Sequence, residues 1–298
     1  MGLERLGRVR PGGIGIFSGS LASQPAAVIR KVVAEMEDLG YGTLWYGEAI
    51  GRESFAFAAI LLAATRRLVV ASGIANIWAR DAMAMANGAK ALQDAWPDRF
   101  ILGLGVSHAP QVERRGHHYE RPVASMRAYL EQMPSAPWRG PEVELPPIVL
   151  AALGPRMVEL AAEKTAGAYP YFTTADHVRA MRAAMGPEPF IAADLPVVLA
   201  ADRAAARQIG DRHMALYLRT ANYRNNLHRL GWPDEELEPP GFDRLFDAVV
   251  AWGDIAEVER RVDAMREAGA DQVVLNLVTA DPNVPYRNEL TALAILNR

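Results

Sequence analysis

Glu48 and His108 are the side chains in this sequence best placed to exchange a proton. Each follows closely on an apolar run, Glu48 after Leu44–Tyr46 and His108, with Ser107, after Arg99–Leu104. A carboxylate in an apolar rim has its pKa raised into the range useful for proton transfer, and imidazole titrates near neutrality. Ion pairs perturb carboxylates too, so Glu48 has a second reading in which it pairs with Arg80 or Arg52 and only holds a loop. Asn76 and the pair Thr173 and Thr174 also stand just beyond apolar runs. Ala152, Leu153 and Gly154 end another run, and Pro155 opens a helix, so free first-turn amides there suit an anion such as phosphate. Thr173 and Thr174 add hydroxyls at the next run's end; an ordinary helix start and an ordinary threonine cap are the plainer alternative.

Other chemistries lack their residues. Gly103 and Gly105 tempt a dinucleotide reading, but His108 stands where the third glycine belongs, and Ala109 and Pro110 do not read as a helix start. Small residues at these positions let a ligand or a neighbouring strand approach. No Gly-x-Ser-x-Gly or His-x-His occurs, and the absence of cysteine excludes disulfides, cysteine-ligated metals and a thiol nucleophile. A balance of 32 basic against 35 acidic side chains, net −3 over 298 residues, argues against nucleic acid as the main partner. The longest apolar run, Phe55–Ala64, is well short of the ~20 residues of a membrane span. Residues 1–11 carry Arg5, Arg8 and Arg10 without an apolar core behind them, unlike a secretory signal. The expectation is a soluble, cytoplasmic protein acting on a small molecule.

The elements that must position these residues alternate from end to end. Strand signals lie at 13–17, 43–46, 68–74, 99–104, 147–151, 167–169, 191–199 and 272–277. Between them run helical periodicities: Val28, Val32, Met36 and Leu39 on one face before Gly40, a segment capped by Asp81, another capped by Thr174, and one opened by Asp254 with Glu257 three residues on. Eight strands, each but the last followed by a helix, predict a (β/α)8 TIM barrel in one domain, residues 1–298, rather than an open sheet. Pro134–Pro147 reads as a connection on the face away from the ligand. Ala215–Trp252 reads as a helical insertion between strands seven and eight, split at residues 238–241, and with His108–Pro122 it is a candidate lid.

Several stretches resemble the bacterial luciferase-like superfamily, in its F420-dependent oxidoreductase branch. They are Gly40–Glu48 (GYGTLWYGE), Ala71–Ile77 (ASGIANI), Asp98–His108 (DRFILGLGVSH), Leu153–Leu160 (LGPRMVEL), Asn222–Leu230 (NYRNNLHRL), Asp247–Gly253 (DAVVAWG) and Ala268–Asp271 (AGAD). The resemblance covers nearly the whole chain in order. It implies a luciferase-type barrel with coenzyme F420, or alternatively FMN, across the C-terminal ends of the strands. It implies a bulge after strand three with a cis bond at Gly73–Ile74, lined by Asn76, Gly105 and Ser107, and a cofactor phosphate held by Ala152–Gly154 and Thr173–Thr174. Hydride transfer, with Glu48 or His108 moving the proton, is the implied activity; an FMN-dependent monooxygenase and a non-catalytic flavin-binding barrel are the alternatives. Relatives of this kind are commonly homodimers. Many F420-dependent relatives have histidine after strand two, where this chain has Glu48.

Overall fold

The computed structural model describes residues 2–239, 241–281 and 287–297; Met1 and Pro240, inside two of the stretches singled out above, lie outside them. The first half runs β1 (Ile14–Phe17), α1 (Ala26–Asp38), β2 (Thr43–Tyr46), α2 (Ser54–Ala63), β3 (Val69–Ser72), β4 (Ala75–Asn76), α3 (Ala82–Ala95), β5 (Phe100–Gly105), α4 (Ala109–Arg114) and α5 (Pro122–Gln132). The second half runs β6 (Ile148–Leu150), α6 (Pro155–Lys164), β7 (Gly167–Ala168), α7 (Ala175–Met185), β8 (Phe190–Leu199), α8 (Arg203–Leu218), α9 (Ala221–Arg229), α10 (Asp243–Val249), β9 (Ala251–Gly253), α11 (Ile255–Glu267), β10 (Gln272–Leu277) and α12 (Arg287–Leu293).

All strand pairings are parallel, and β10 closes the sheet by pairing with both β8 and β1, which makes an eight-stranded (β/α)8 barrel. Strand alternation explains how apolar runs fill both sides. On β2, Leu44 and Tyr46 join the core beneath the helices, while Trp45 points into the lumen with Val69, Ala71, Ile101, Val149, Tyr169, Phe190 and Val274. Leu6 and Val9 of the N-terminal segment pack into the same inner cluster, and Gln272 ties its floor by donating to Pro11 O and Gly12 O and accepting from Trp45 Nε1. The helices start where short acceptors cap them: Glu53, Asp81, Thr174, Asp202 and Asp254 each accept a first-turn amide.

Four features differ from the sequence reading. The apolar run 68–74 breaks into β3 and β4, because β5 pairs with Val70 and Ala71 and then again only with Ala75 and Asn76. Ala109 does open a helix, the short α4, with Pro110 in the first turn, where its missing N–H costs nothing. The helices between β8 and β10 begin at Arg203, well before Ala215, and end in β9, which extends β8 beyond the barrel through Val197–Leu199. The last barrel strand is followed by a helix, α12. A second core, built on Phe172, Met214, Tyr223, Phe242 and Phe246, packs α8, α9 and α10 against the β7–α7 segment. Among the described residues no helix is long and apolar enough to cross a membrane.

Candidate active site at the barrel mouth

The β3–β4 break forms one wall. The Gly73–Ile74 peptide is cis. Gly73 leaves no room for a side chain, since a Cβ there would lie 2.9 Å from the Tyr169 ring and 3.1 Å from Trp45. Those two rings stack beneath it, centroids 4.5 Å apart. Gly105 is needed in the same way, because a Cβ would meet the Ile74 side chain at 2.5 Å. Asn76 turns the chain away by accepting Trp78 N at 3.0 Å. Glu48 braces the whole wall. Its backbone N donates to Ile74 O at 3.0 Å, and its carboxylate accepts Ser54 N at 3.2 Å and Asn76 N at 2.8 Å. Arg80 meets both carboxylate oxygens, and Glu53 lies 2.8 Å from the same guanidinium.

With both oxygens engaged in a buried ion pair, Glu48 takes the loop-holding role that the sequence left open as its second reading. Among the described residues, His108 is not one of its hydrogen-bond partners. The imidazole sits beside Tyr223, rings 5.8 Å apart, with the Asn222 side chain nearby. Burial lowers its pKa, against a smaller upward push from Asn222, so the ring is neutral near pH 7. Ser107, in a left-handed backbone conformation, donates to Gln111 and turns the chain into α4.

The opposite rim carries Gly154 at the start of α6 and Thr174 at the start of α7. Between them lies His177, which pattern reading passed over. Its Nε2 donates to Leu153 O at 3.1 Å, so Nδ1 is the bare nitrogen and accepts the Thr173 hydroxyl and, at 3.4 Å, the Asn226 amide. Desolvation drops the His177 pKa to about 4, with Arg229 adding in the same direction against the Leu153 bond. Thr173 therefore spends its proton on His177. Thr174 Oγ1 accepts His177 N and keeps its own proton to donate outward. Ala152 is buried behind this rim.

Arg229 on α9 completes the rim. Its guanidinium is held by Asn226 at 3.1 Å and lies so near Gly154 that a Cβ there would be 3.3 Å away. A helix N-terminus, a guanidinium and a free hydroxyl form a set of donors suited to a phosphate. The sequence signal for His177 was its i,i+4 spacing from Thr173; Arg229 had none, since only folding of the β8–β10 connection brings it to residue 154.

The sequence profile of the luciferase-like monooxygenases matches residues 13–272. The chain belongs to that family. A Mycobacterium tuberculosis protein named as a candidate coenzyme F420-dependent oxidoreductase is 28% identical, over 90% of this chain and 96% of its own. Among solved structures, an F420-dependent secondary alcohol dehydrogenase in complex with an F420–acetone adduct superposes with TM-score 0.74 at 14% identity, covering 96% of this chain and 98% of that one. The oxygenating constituent of 3,6-diketocamphane monooxygenase from Pseudomonas putida, in complex with FMN, gives 0.71 at 14% identity, with 97% of both chains covered. This luciferase-like protein is thus an enzyme of an oxidoreductase family, and the donor chemistry of its Gly154–Arg229 rim fits the phosphate of a phosphate-bearing cofactor.

Proposed function

We propose that this protein is an F420-dependent oxidoreductase that transfers a hydride between the deazaflavin and a small organic substrate. The observation that carries the reading is the cationic rim of Arg229 over Gly154 on the same barrel mouth as the glycine wall at 73 and 105. The name of the 28% identical mycobacterial relative supports F420 as the group bound. In this reading the first-turn amides of α6, Arg229 and the Thr174 hydroxyl hold the cofactor phosphate. Ala152 and Leu153 shape that rim, and Thr173 positions it through His177. Gly73, Ile74, Asn76, Gly105 and Ser107 seat the ring. When bound, the cofactor supplies the hydride chemistry, and the protein supplies orientation and exclusion of water. His108, neutral and beside Asn222 and Tyr223, accepts the proton that accompanies oxidation of an alcohol. Glu48 acts one step back, by fixing the wall.

The FMN-dependent monooxygenase reading is favoured by the diketocamphane enzyme's likeness in fold. Titration of tryptophan fluorescence with F420 and, separately, with FMN decides between them, since Trp45 lies beneath Gly73 and Trp78 bonds Val106 O beside the wall. Preferential quenching by F420 is expected. Preference for FMN moves the reading to oxygen chemistry, and binding of neither removes both.

A further inference from the structure

Asp194 is the one carboxylate that β8 places inside the barrel, opposite Val274 of β10 and fully buried. Its Oδ2 accepts Phe172 N at 3.3 Å, and the Asn276 amide and Tyr169 hydroxyl lie against the carboxyl. Asp194 Oδ1 and the Tyr169 hydroxyl have no partner of ordinary hydrogen-bond geometry among the described residues. The groups that face Asp194 are all uncharged: Tyr169 and Tyr171 after β7, Tyr217 on α8, Tyr223 on α9 and Asn276 on β10. His213, packed behind Tyr217 with ring centroids 4.8 Å apart, has its pKa lowered by burial to about 4 and is uncharged too.

From Asn276 a chain of hydrogen bonds leads outward. Its Nδ2 donates to the Tyr171 oxygen at 2.8 Å, and that hydroxyl lies 2.6 Å from the Tyr217 hydroxyl. An amide N–H only donates, so Tyr171 receives at this end; either hydroxyl can donate across the 2.6 Å contact, and when Tyr171 does so its proton goes to Tyr217. The Tyr217 proton is then free to leave the chain. Tyr217 packs on Tyr223, which in turn packs on His108, so one ring separates the end of the chain from the proposed proton acceptor.

We propose that Asp194 stands in this barrel as a neutral carboxylic acid and, through Asn276 and Tyr171, fixes Tyr217 as a hydrogen-bond donor to the oxygen of an uncharged carbonyl or hydroxyl substrate. The proposal deepens the hydride-transfer reading and rests on it. An isolated carboxylate with no cation beside it is strongly disfavoured in such a place, and desolvation pushes the Asp194 pKa up to about 8. Ionisation would pull the Asn276 amide toward the carboxylate, release Tyr171 and turn its hydroxyl inward, so Tyr217 would lose its direction. The substrate is uncharged because His108, Asn222 and the tyrosines offer no counter-charge, and a charged group would be desolvated among them without a partner. Asp194 is a positioning residue; Tyr217 is the group that touches substrate.

Two measurements test this. Infrared spectra of the cofactor-free protein at pH 7 should show the carbonyl stretch of a protonated carboxylic acid, absent in Asp194→Asn and lost from the wild type as pH rises through about 8. No such band at pH 7, or its survival in Asp194→Asn, overturns the proposal. With F420 bound, oxidation of a neutral alcohol should outpace that of a hydroxy acid. The rate should fall on the alkaline side of pH 8 in the wild type but not in Asp194→Asn, and Tyr217→Phe should lower kcat at least tenfold with little change in the dissociation constant for F420. An unchanged kcat in Tyr217→Phe, an alkaline limb that persists in Asp194→Asn, or preference for the hydroxy acid overturns it. A protein that shows the infrared band but binds no deazaflavin fails the hydride-transfer reading, and the Tyr217 assignment falls with it, while the neutral acid stands on its own.

Discussion

Arg229 and Glu48 show how single side chains divide the work at the mouth. Among the described residues Arg229 has one hydrogen bond, to Asn226, so its charge is available to a ligand. A charge-assisted hydrogen bond to an anion contributes about 1.5–3 kcal/mol, so Arg229→Ala should weaken cofactor binding by about 10- to 100-fold. Fluorescence titration measures this, and kcat at saturating cofactor should change far less. Glu48 belongs to the structure of the wall. Glu48→Gln leaves the Arg80 guanidinium, only a tenth exposed, with Glu53 as its remaining carboxylate partner. Breaking a buried pair costs about 3–5 kcal/mol, and the lower end is expected here because Glu53 persists. Urea unfolding of the cofactor-free variant reads that loss directly; a midpoint equal to wild type would return Glu48 to the list of proton-transfer groups. The contrast marks the reach of sequence reading. Type and spacing located Glu48 and His108 at strand ends, but which of two roles Glu48 takes depends on where Arg80 folds, and Arg80 lies 32 positions away.

At the scale of elements, close approach of strands is set by glycines rather than by packing of large side chains. A Cβ at Gly103 would lie 1.8 Å from Ser72 O, where the Ser72 hydroxyl also bonds Gly103 N and O at 2.9 Å. Gly167 is bound in the same way by Phe190 O. Gly103→Ala should therefore cost about 4 kcal/mol or more, because backbone must move. Circular dichroism melting against Gly116→Ala, where no atom lies near, separates the clash from the substitution itself, although the positive φ of Gly116 adds a small cost of its own. These elements were legible in the chain: caps at Asp81, Thr174 and Asp254, stops at glycine, and apolar strands without alternation all mark where the barrel units begin and end. The division of 68–74 into two strands was visible only through likeness to relatives, because its cause is the register of β5. The short α4 was misread from Pro110, since a proline that ends one helix starts another equally well.

For the whole molecule, buried titratable groups of opposite sense set a pH optimum for stability. His177 and His213 have folded pKa values of about 4 against 6.5 in the open chain, so between those limits the unfolded state binds two protons the folded state does not. Asp194, at about 8 against 3.8, holds one proton that the unfolded state lacks over the same interval. The net gain is one proton on unfolding, and stability should climb by about 1.4 kcal/mol per pH unit from pH 4 to 6.5. His108, also lowered by burial, adds in the same sense. Above 6.5 only Asp194 is still to release its proton, and stability should fall at about the same rate toward pH 8. Chemical denaturation across this range should thus peak near pH 6.5, and Asp194→Asn should abolish the alkaline decline. The closing pair has a further consequence. β1 ends at Phe17 and its partner β10 begins at Gln272, so no register of the last ladder exists until almost all of the chain is available. Contacts so remote in sequence form late and slowly. A nascent chain leaving the ribosome therefore carries open sheet edges for most of its synthesis, and the unpaired edges of β1 and β8 are where a chaperone or a misfolded neighbour would find it.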